Sequence, residues 1–489
     1  MFLFQGVIQG QEFTCPVDEN SQCLDGYYGD PEDCTLYHEC VDCQYTTGQC
    51  ESGLHFDKDV HICRSPYLAG CDPDNYIRNG TAFCVTRGNG RVDGPINPLI
   101  FSEAYVNYKY PYDPLMGHWR AGLSGVYFFH MSAGAYPGRK VNMTLAGTPH
   151  PFYVVRDSQY HELDVISRDA MMVLNMHSVL AVTLEGDSSI SSDAGKQTMW
   201  AGFNLDEFMT DVVAFYAVST QLQQAPTTVV FEDEHFDVGD GYHPTTGLFT
   251  APVSGTYFFT FSSGAESYAT HRSQFVSSAS PAGLSELWRG AGQNTGVDTL
   301  SKSLVYVLNA GQTIEVRLLA GDASNGQSTL LSFGGFLYSP KPPTPQRAWF
   351  VNTASTHTGP LDPVGFENEV VDVGDVFDQT TNSVTIDTSG YYYMSLYTGM
   401  TSDSLVSIQI VEQSEGHDPA ILAEVVRSEP YNTEVDTLGR SLLVHLKAGS
   451  QVNIRLGQDS VSYSNSDKQT TFSGFLLYAI EDPDLSGSL

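Results

Sequence analysis

Apolar side chains in this chain recur at every second position over short runs. In "TIEVRL", Ile314, Val316 and Leu318 alternate with Glu315 and Arg317, and "QVNIRL" repeats the pattern with Val452, Ile454 and Leu456. A period of two is the signature of a half-buried strand. "GTYFFTF" and "GYYYMSLY" read as aromatic strands entered from a glycine turn, and "NAGQ" and "KAGS" as tight turns between two strands. Helical patterning over ten or more residues is hard to find. The elements predicted are many short strands joined by Gly-rich turns.

The same elements occur three times. "DTLSKSLVYVLNAGQTIEVRL" from Asp298 is echoed by "DVISRDAMMVLNMHSVLAVTL" from Asp164 and "DTLGRSLLVHLKAGSQVNIRL" from Asp436. Upstream, Phe101, Phe231 and Phe366 each stand 24 residues ahead of a Gly-x-Tyr: Gly125 and Tyr127, Gly255 and Tyr257, Gly390 and Tyr392. Each copy closes on aromatic-x-Gly-Phe, ending at Phe203, Phe336 and Phe475. The period of about 130 to 138 residues is far too long for a solenoid unit and suits a whole domain in tandem. Several short strands per copy imply a β-sandwich or jelly roll, so the fold class is all-β.

The 489 residues allow three or four domains. The 57 acidic residues against 23 basic ones give a net charge of -34, which argues against nucleic acid as a partner because phosphate binding needs basic patches. It leaves divalent cations or basic surfaces as partners, calcium among them, although a solvated acidic surface explains the charge as well. No apolar run is long enough to cross a membrane. The opening "MFLFQGVIQG" lacks a basic start and a full apolar core, so residues 1–14 read at best as a signal-peptide remnant. All nine cysteines fall between Cys15 and Cys84, marking a separate small unit held by disulfides or a metal and suggesting secretion.

The run "VVFEDEHFDVGDGYHPTTGLFTAPVSGTYFFTF", with "SLVYVLNAGQTIEVRL" and "TLLSFGGFLY" after it, resembles the complement C1q globular-head family. That resemblance implies a ten-stranded jelly roll like that of tumour necrosis factor, over residues 82–206, 212–340 and 347–481. The third copy has "TIDTSGYYY" where the family shows Phe-Thr-Ala-Pro, and the first is the most divergent, lacking the turn glycine in "DAMMVLNMHSVL". Family members trimerise, often behind a collagen stalk, and this chain has no Gly-x-y tract. Three heads in one chain can pack as an intramolecular pseudo-trimer, with "SPKPPTPQR" as a spacer, or hang as beads on a string.

Residues 15–75 resemble the type 2 chitin-binding, or peritrophin-A, family. "DGYYGDPEDCTLYHEC" and "CESGLHFDKDVHIC" carry its Gly, aromatic and Asp-Cys pattern. The family's connectivity implies the pairs Cys23–Cys40, Cys34–Cys71 and Cys50–Cys63. It leaves Cys15, Cys43 and Cys84, with Cys15 an alternative first framework cysteine. Zinc on Cys40-x2-Cys43 with His38, His55 and His61 is the competing reading, without the second Cys-x2-Cys that would complete it. Chitin offers a flat, uncharged sugar face that exposed aromatic rings can cover. The candidates are Tyr27, Tyr28, Tyr37 and Tyr45, with His55 weaker and Phe56 read as core.

No hydrolase motif is present, neither Asp-x-x-Asp-x-Asp-x-Glu nor Gly-x-Ser-x-Gly nor His-Glu-x-x-His, and no enzyme is expected. "FEDEHFDVGD" and "FENEVVDVGD" offer carboxylates for calcium, but strand alternation splits them between faces, and no metal ligands are named. Asn79 and Asn142 begin glycosylation sequons. Two functions fit. One is a secreted chitin-binding protein of a cuticle or shell matrix whose heads contact matrix proteins or mineral. The other is a soluble immune recognition protein that reads chitin or microbial surface ligands.

Overall fold

The computed structural model describes residues 13–17, 22–30, 33–50, 55–57, 61–64, 81–88, 90–157, 163–265, 269–290, 298–324, 330–401, 404–427 and 435–480. Each of the three copies is a jelly roll of two principal five-stranded sheets. In the second copy the inner sheet orders Asp233–Val238, Ala214–Val218, Ser332–Tyr338, Gly255–Ala265 and Asp298–Leu308. Its outer sheet orders Tyr242–His243, Leu248–Thr250, Thr313–Ala323, His271–Ser277 and Ser280–Arg289. The first and third copies repeat this order. Among the described residues, helix is confined to one turn, Leu205–Phe208, capped by the Asn204 side chain.

The recurring motifs are explained by local geometry. In Gly-x-Tyr, the hydroxyls of Tyr127, Tyr257 and Tyr392 each donate 2.7 Å to the carbonyl four residues back, at Leu123, Val253 and Thr388. That bond closes the turn through which the long central strand is entered. In aromatic-x-Gly-Phe, a Cβ on Gly202 or Gly335 would meet the ring of Phe129 or Phe259 at 2.6 or 2.5 Å, so the strand approaches its neighbour only as glycine. The divergent turn of the first copy still reverses the chain. His177 takes φ +72° where Gly311 and Gly449 take +84° and +93°.

The copies contact one another in a closed cycle. The outer-sheet edge strand of each copy reaches the inner-sheet edge strand of the next: Arg156 pairs with Asp298, Arg289 with Asp436, and Arg427 with Asp164. These aspartates are the first residues of the thrice-repeated phrase. Arg427 donates 2.8 Å to both Asp436 and Asp164, and Arg289 lies 2.9 Å from Asp298. Together they line a small cavity shared by all three copies.

Further along the shared axis, Phe128, Phe258 and Tyr393 form a triangle with ring centroids 5.4, 5.5 and 5.2 Å apart. Phe203, Phe336 and Phe475 back them at 5.1, 5.2 and 5.4 Å. Between ring and triangle lie three buried cations, and each bonds to the next copy in the cycle. Arg168 donates to Ser262, Ser332 and Tyr216, Lys302 to the Gln469 carbonyl, and Arg440 to the Gly195 carbonyl. Burial pulls the Lys302 ammonium down to about 7.

The ring is not equivalent in its three copies elsewhere on the axis. His130 Nδ1 lies 2.7 Å from Asp169, and Asp169 also accepts from Thr260, all fully buried. The counterparts of His130 are Thr260 and Ser395, and those of Asp169 are Ser303 and Ser441. Removing Arg427 takes the nearest guanidinium from two buried carboxylates, although Asp164 keeps Arg156 at 3.7 Å and Asp436 keeps the Gly290 N–H. Arg427→Ala is therefore expected to cost about 3–5 kcal/mol, read as a lower midpoint in urea unfolding of the full chain.

Candidate functional site

The N-terminal unit is a three-stranded sheet of Gly26–Gly29, Leu36–Val41 and Gln44–Gln49, with the small hairpin His55–Asp57 and Ile62–Arg64 beside it. A two-residue turn joins the second and third strands, with Asp42 at φ +49° and Cys43 at +63°. Disulfides join Cys15 to Cys40, Cys23 to Cys43 and Cys50 to Cys63. The pairing Cys23–Cys40 is thereby corrected. The chain around Cys15 lies antiparallel beside Cys23, through the Val17–Cys23 bridge and the Leu24 N–H bond to Pro16, which sets Cys15 against Cys40. Cys43, at the tip of its hairpin, takes Cys23. Cys71, the expected partner of Cys34, lies outside the described residues, as do Asn79 and residues 1–12. Among the described residues Cys84 is the free cysteine, deep in the first jelly roll, where burial pushes its thiol up to about 12.

The sheet separates the aromatic candidates onto two faces. On one, Tyr27 lies 6.0 Å from Tyr37, and Tyr37 stacks at 5.1 Å on Phe56, which is 2% exposed. Tyr37 lies across Gly48 and serves as the wall of the core. The Tyr27 hydroxyl donates to Glu39, whose carboxylate holds the phenol above its ordinary value. On the other face Tyr45, 41% exposed, stands edge-on to Phe13 and His38 at 5.2 and 5.0 Å, with Tyr28 6.4 Å from Phe13. Phe13 stacks on His38 at 3.9 Å, and His38 is fixed by Asp30 at 2.7 Å and Thr47 at 3.0 Å. His55 sits half-buried on the small hairpin. Phe13 and His38 were missed as members of an aromatic face. Phe13 precedes the first cysteine, and the Cys15–Cys40 bond together with the Val17–Cys23 bridge brings it over the sheet.

The carboxylate runs of the second and third copies serve their own turns. Asp237 accepts from the Tyr242 N–H, and Asp372 from those of Val376 and Phe377. Burial raises both carboxyls. Among the described residues no three acidic, His or Cys side chains converge as a metal site. Asn142 lies half-buried in an outer-sheet strand, its amide donating 3.1 Å to Glu185. Sequence reasoning also missed a histidine pair between the first and second copies. His150 and His235 stack at 3.6 Å, with Asp233 3.6 Å from His235 and Tyr216 beside it.

A disulfide-bonded module with an aromatic sheet face, followed by three jelly rolls, defines a multidomain binding protein. The C1q domain family matches residues 82–205, 214–338 and 348–477, and the Chitin binding Peritrophin-A domain matches residues 20–71. The chain belongs to the C1q domain family and carries a Peritrophin-A domain ahead of its three C1q domains. Both families are non-catalytic. Multimerin-1 of Mus musculus is 29% identical over 127 residues, 26% of this chain but 10% of that protein, so the match spans a small part of the relative. Among solved structures, the globular domain of zebrafish complement 1qA protein is 26% identical, covering 27% of this chain and all of its own, with a TM-score of 0.23. Eiger TNF from S. frugiperda is 18% identical, covering 29% of this chain and 98% of its own, with a TM-score of 0.25.

Burial, then the neighbouring His150, lowers the His235 pKa, against an opposing pull from Asp233 and with Arg168 adding to the lowering. A histidine depressed on folding favours the packed state above its ordinary pKa of about 6.5, and that contribution is lost as the pH falls. Acidification from about pH 7.5 to about pH 5 is expected to lower the hydrogen-exchange protection factors, each referred to the intrinsic rate at that pH, in Phe152–Arg156 and Asp233–Val238. His235→Gln should flatten that dependence.

Proposed function

We propose that this chain is a secreted, non-enzymatic, chitin-binding protein of an extracellular matrix such as a cuticle or shell. The Peritrophin-A domain grips chitin with the face formed by Tyr45, Phe13 and Tyr28. The observation that carries this is the exposed Tyr45 ring, held edge-on by Phe13 and His38 within a matched chitin-binding domain. A ring already fixed by its neighbours loses little freedom when a sugar stacks on it. Tyr27, as exposed as Tyr45, has its hydroxyl taken up by Glu39 and a single core ring, Tyr37, beside it, where Tyr45 has two rings edge-on. The three C1q domains work as one intramolecular trimer that turns an acidic surface towards matrix proteins or mineral, and Asn142 carries a glycan on its outer sheet. The net charge of -34 and the missing collagen-like tract support the matrix reading.

Tyr45→Ala is expected to weaken retention on chitin beads by about tenfold, the loss of one good aromatic contact. Tyr37→Ala should instead lower the module's resistance to proteolysis. If Tyr27→Ala abolishes binding and Tyr45→Ala does not, the platform lies on the opposite face. Small-angle scattering should report a compact particle for the C1q portion of the full chain, and a rod-like profile would refute the intramolecular trimer.

A further inference from the structure

Two of the three seams between C1q domains are crossed by chain. The segment after Phe203 joins the first domain to the second, and "SPKPPTPQR" joins the second to the third. The seam between the third domain and the first is closed by noncovalent contacts, the Arg427–Asp164 pair among them, and among the described residues no disulfide lies near it. That seam holds a group of tyrosines. Tyr108 of the first domain enters between Tyr391 and Tyr478 of the third, with ring centroids 5.8 and 5.5 Å away. Phe208 closes the group at 6.0 Å from Tyr108 and 5.6 Å from Tyr478. Tyr391 and Tyr478 face each other across paired strands. The second domain has Val238, Thr256 and Ser339 at the corresponding places, so the group is peculiar to the seam without a linker.

We infer that Tyr108 and Tyr478 form a dityrosine cross-link when a haem peroxidase and hydrogen peroxide are supplied, locking the first domain to the third. Of the two rings that flank Tyr108, Tyr478 is the nearer and less steeply inclined, at 5.5 Å and 49° against 5.8 Å and 69° for Tyr391, so it is the better placed for coupling. The peroxidase removes one hydrogen atom from each phenol, and the peroxide is reduced to two waters. The two tyrosyl radicals couple through the carbons ortho to their oxygens. Each coupled carbon then passes its hydrogen to its own oxygen, restoring both phenols. In sum two C–H bonds and one O–O bond are broken, and one C–C bond joins the rings.

Geometry supplies the route for oxidation. Tyr110, two residues from Tyr108 and 51% exposed, is the most exposed tyrosine among the described residues. It offers the oxidant a surface ring from which the radical can pass inward. Tyr108 itself is half-buried, and its burial, then the Tyr478 hydroxyl, holds its phenol above the ordinary tyrosine value. It therefore reacts as a neutral phenol by loss of a hydrogen atom. A covalent bond at this seam gains the most, because it ties together two surfaces that the chain leaves far apart in sequence. The inference does not depend on chitin binding.

The test treats dilute full-length protein with a plant haem peroxidase and limiting hydrogen peroxide, followed by digestion and mass spectrometry. The expected product is a peptide pair containing Tyr108 and Tyr478, lighter by two hydrogens than its parts, on a chain that still migrates as a monomer. Tyr108→Phe and Tyr478→Phe should each remove that pair, Tyr391→Phe should leave it, and Tyr110→Phe should slow its appearance. Digestion of the unsubstituted protein gives the answer even where a variant fails to fold. Coupling dominated by Tyr27, Tyr45 or any other pair would overturn the assignment, as would an equal yield of the Tyr108–Tyr478 pair from protein unfolded in urea.

Discussion

A strand buried on both faces at the edge of its own sheet cannot stand alone in water. Asp298–Leu308 is such a strand, buried from Asp298 to Val305, and so are Asp164–Leu174 and Asp436–Leu446. One face of each strand covers its own jelly-roll core and the other is covered by neighbouring domains. Satisfying all three at once requires a closed cycle, and the remaining interdomain contacts follow from it. The Phe128, Phe258 and Tyr393 rings fill the axis because no other surface is available to bury them. The buried cations reach sideways into the next domain because backbone carbonyls and hydroxyls there replace lost water. The Arg and Asp ring ends the stack with opposite charges interleaved, which removes the repulsion that three converging carboxylates would impose.

The axis is threefold in outline only. A single His130–Asp169 couple stands where the other domains place Thr260 with Ser303 and Ser395 with Ser441. Polar contacts of this kind distinguish one neighbour from another, as a buried polar residue does in other helical or sheet assemblies. Arg168 illustrates it. Its guanidinium is matched by Tyr216, Ser262 and Ser332, a set that only the second domain offers. Domain order around the cycle is thus written into side chains as well as into linkers.

Much of this was legible in the residues. Alternation identified the strands, and the fixed interval from Phe to Gly-x-Tyr identified the repeat, because the tyrosine's bond to a carbonyl four residues back constrains both spacing and identity. What alternation could not supply was the identity of the covering surface. "DTLSKSLVYVL" looks irregular because its outward positions meet protein, not solvent. The disulfide pairing was misread for a related reason. Cysteine order carries no information on which turn brings two sulfurs together, and the positive-φ turn at Asp42–Cys43 turned a supposed leftover into a partner for Cys23. Tyr37 and Tyr45 looked alike as aromatics near cysteines, yet strand parity put one against the core and the other in water.

In an assembly of three identical chains, any change on the axis is made three times at once. A carboxylate placed there would meet two copies of itself, and a histidine would need three partners where geometry offers room for one. Fusing the three domains into one chain lifts that restriction, since each axial position is then written separately. The lone His130–Asp169 couple is an arrangement that an identical trimer could not adopt without burying three acids together. The fusion therefore widens the set of sequences open to the fold, and each outward face of the cycle is free to change while its two neighbours stay as they are.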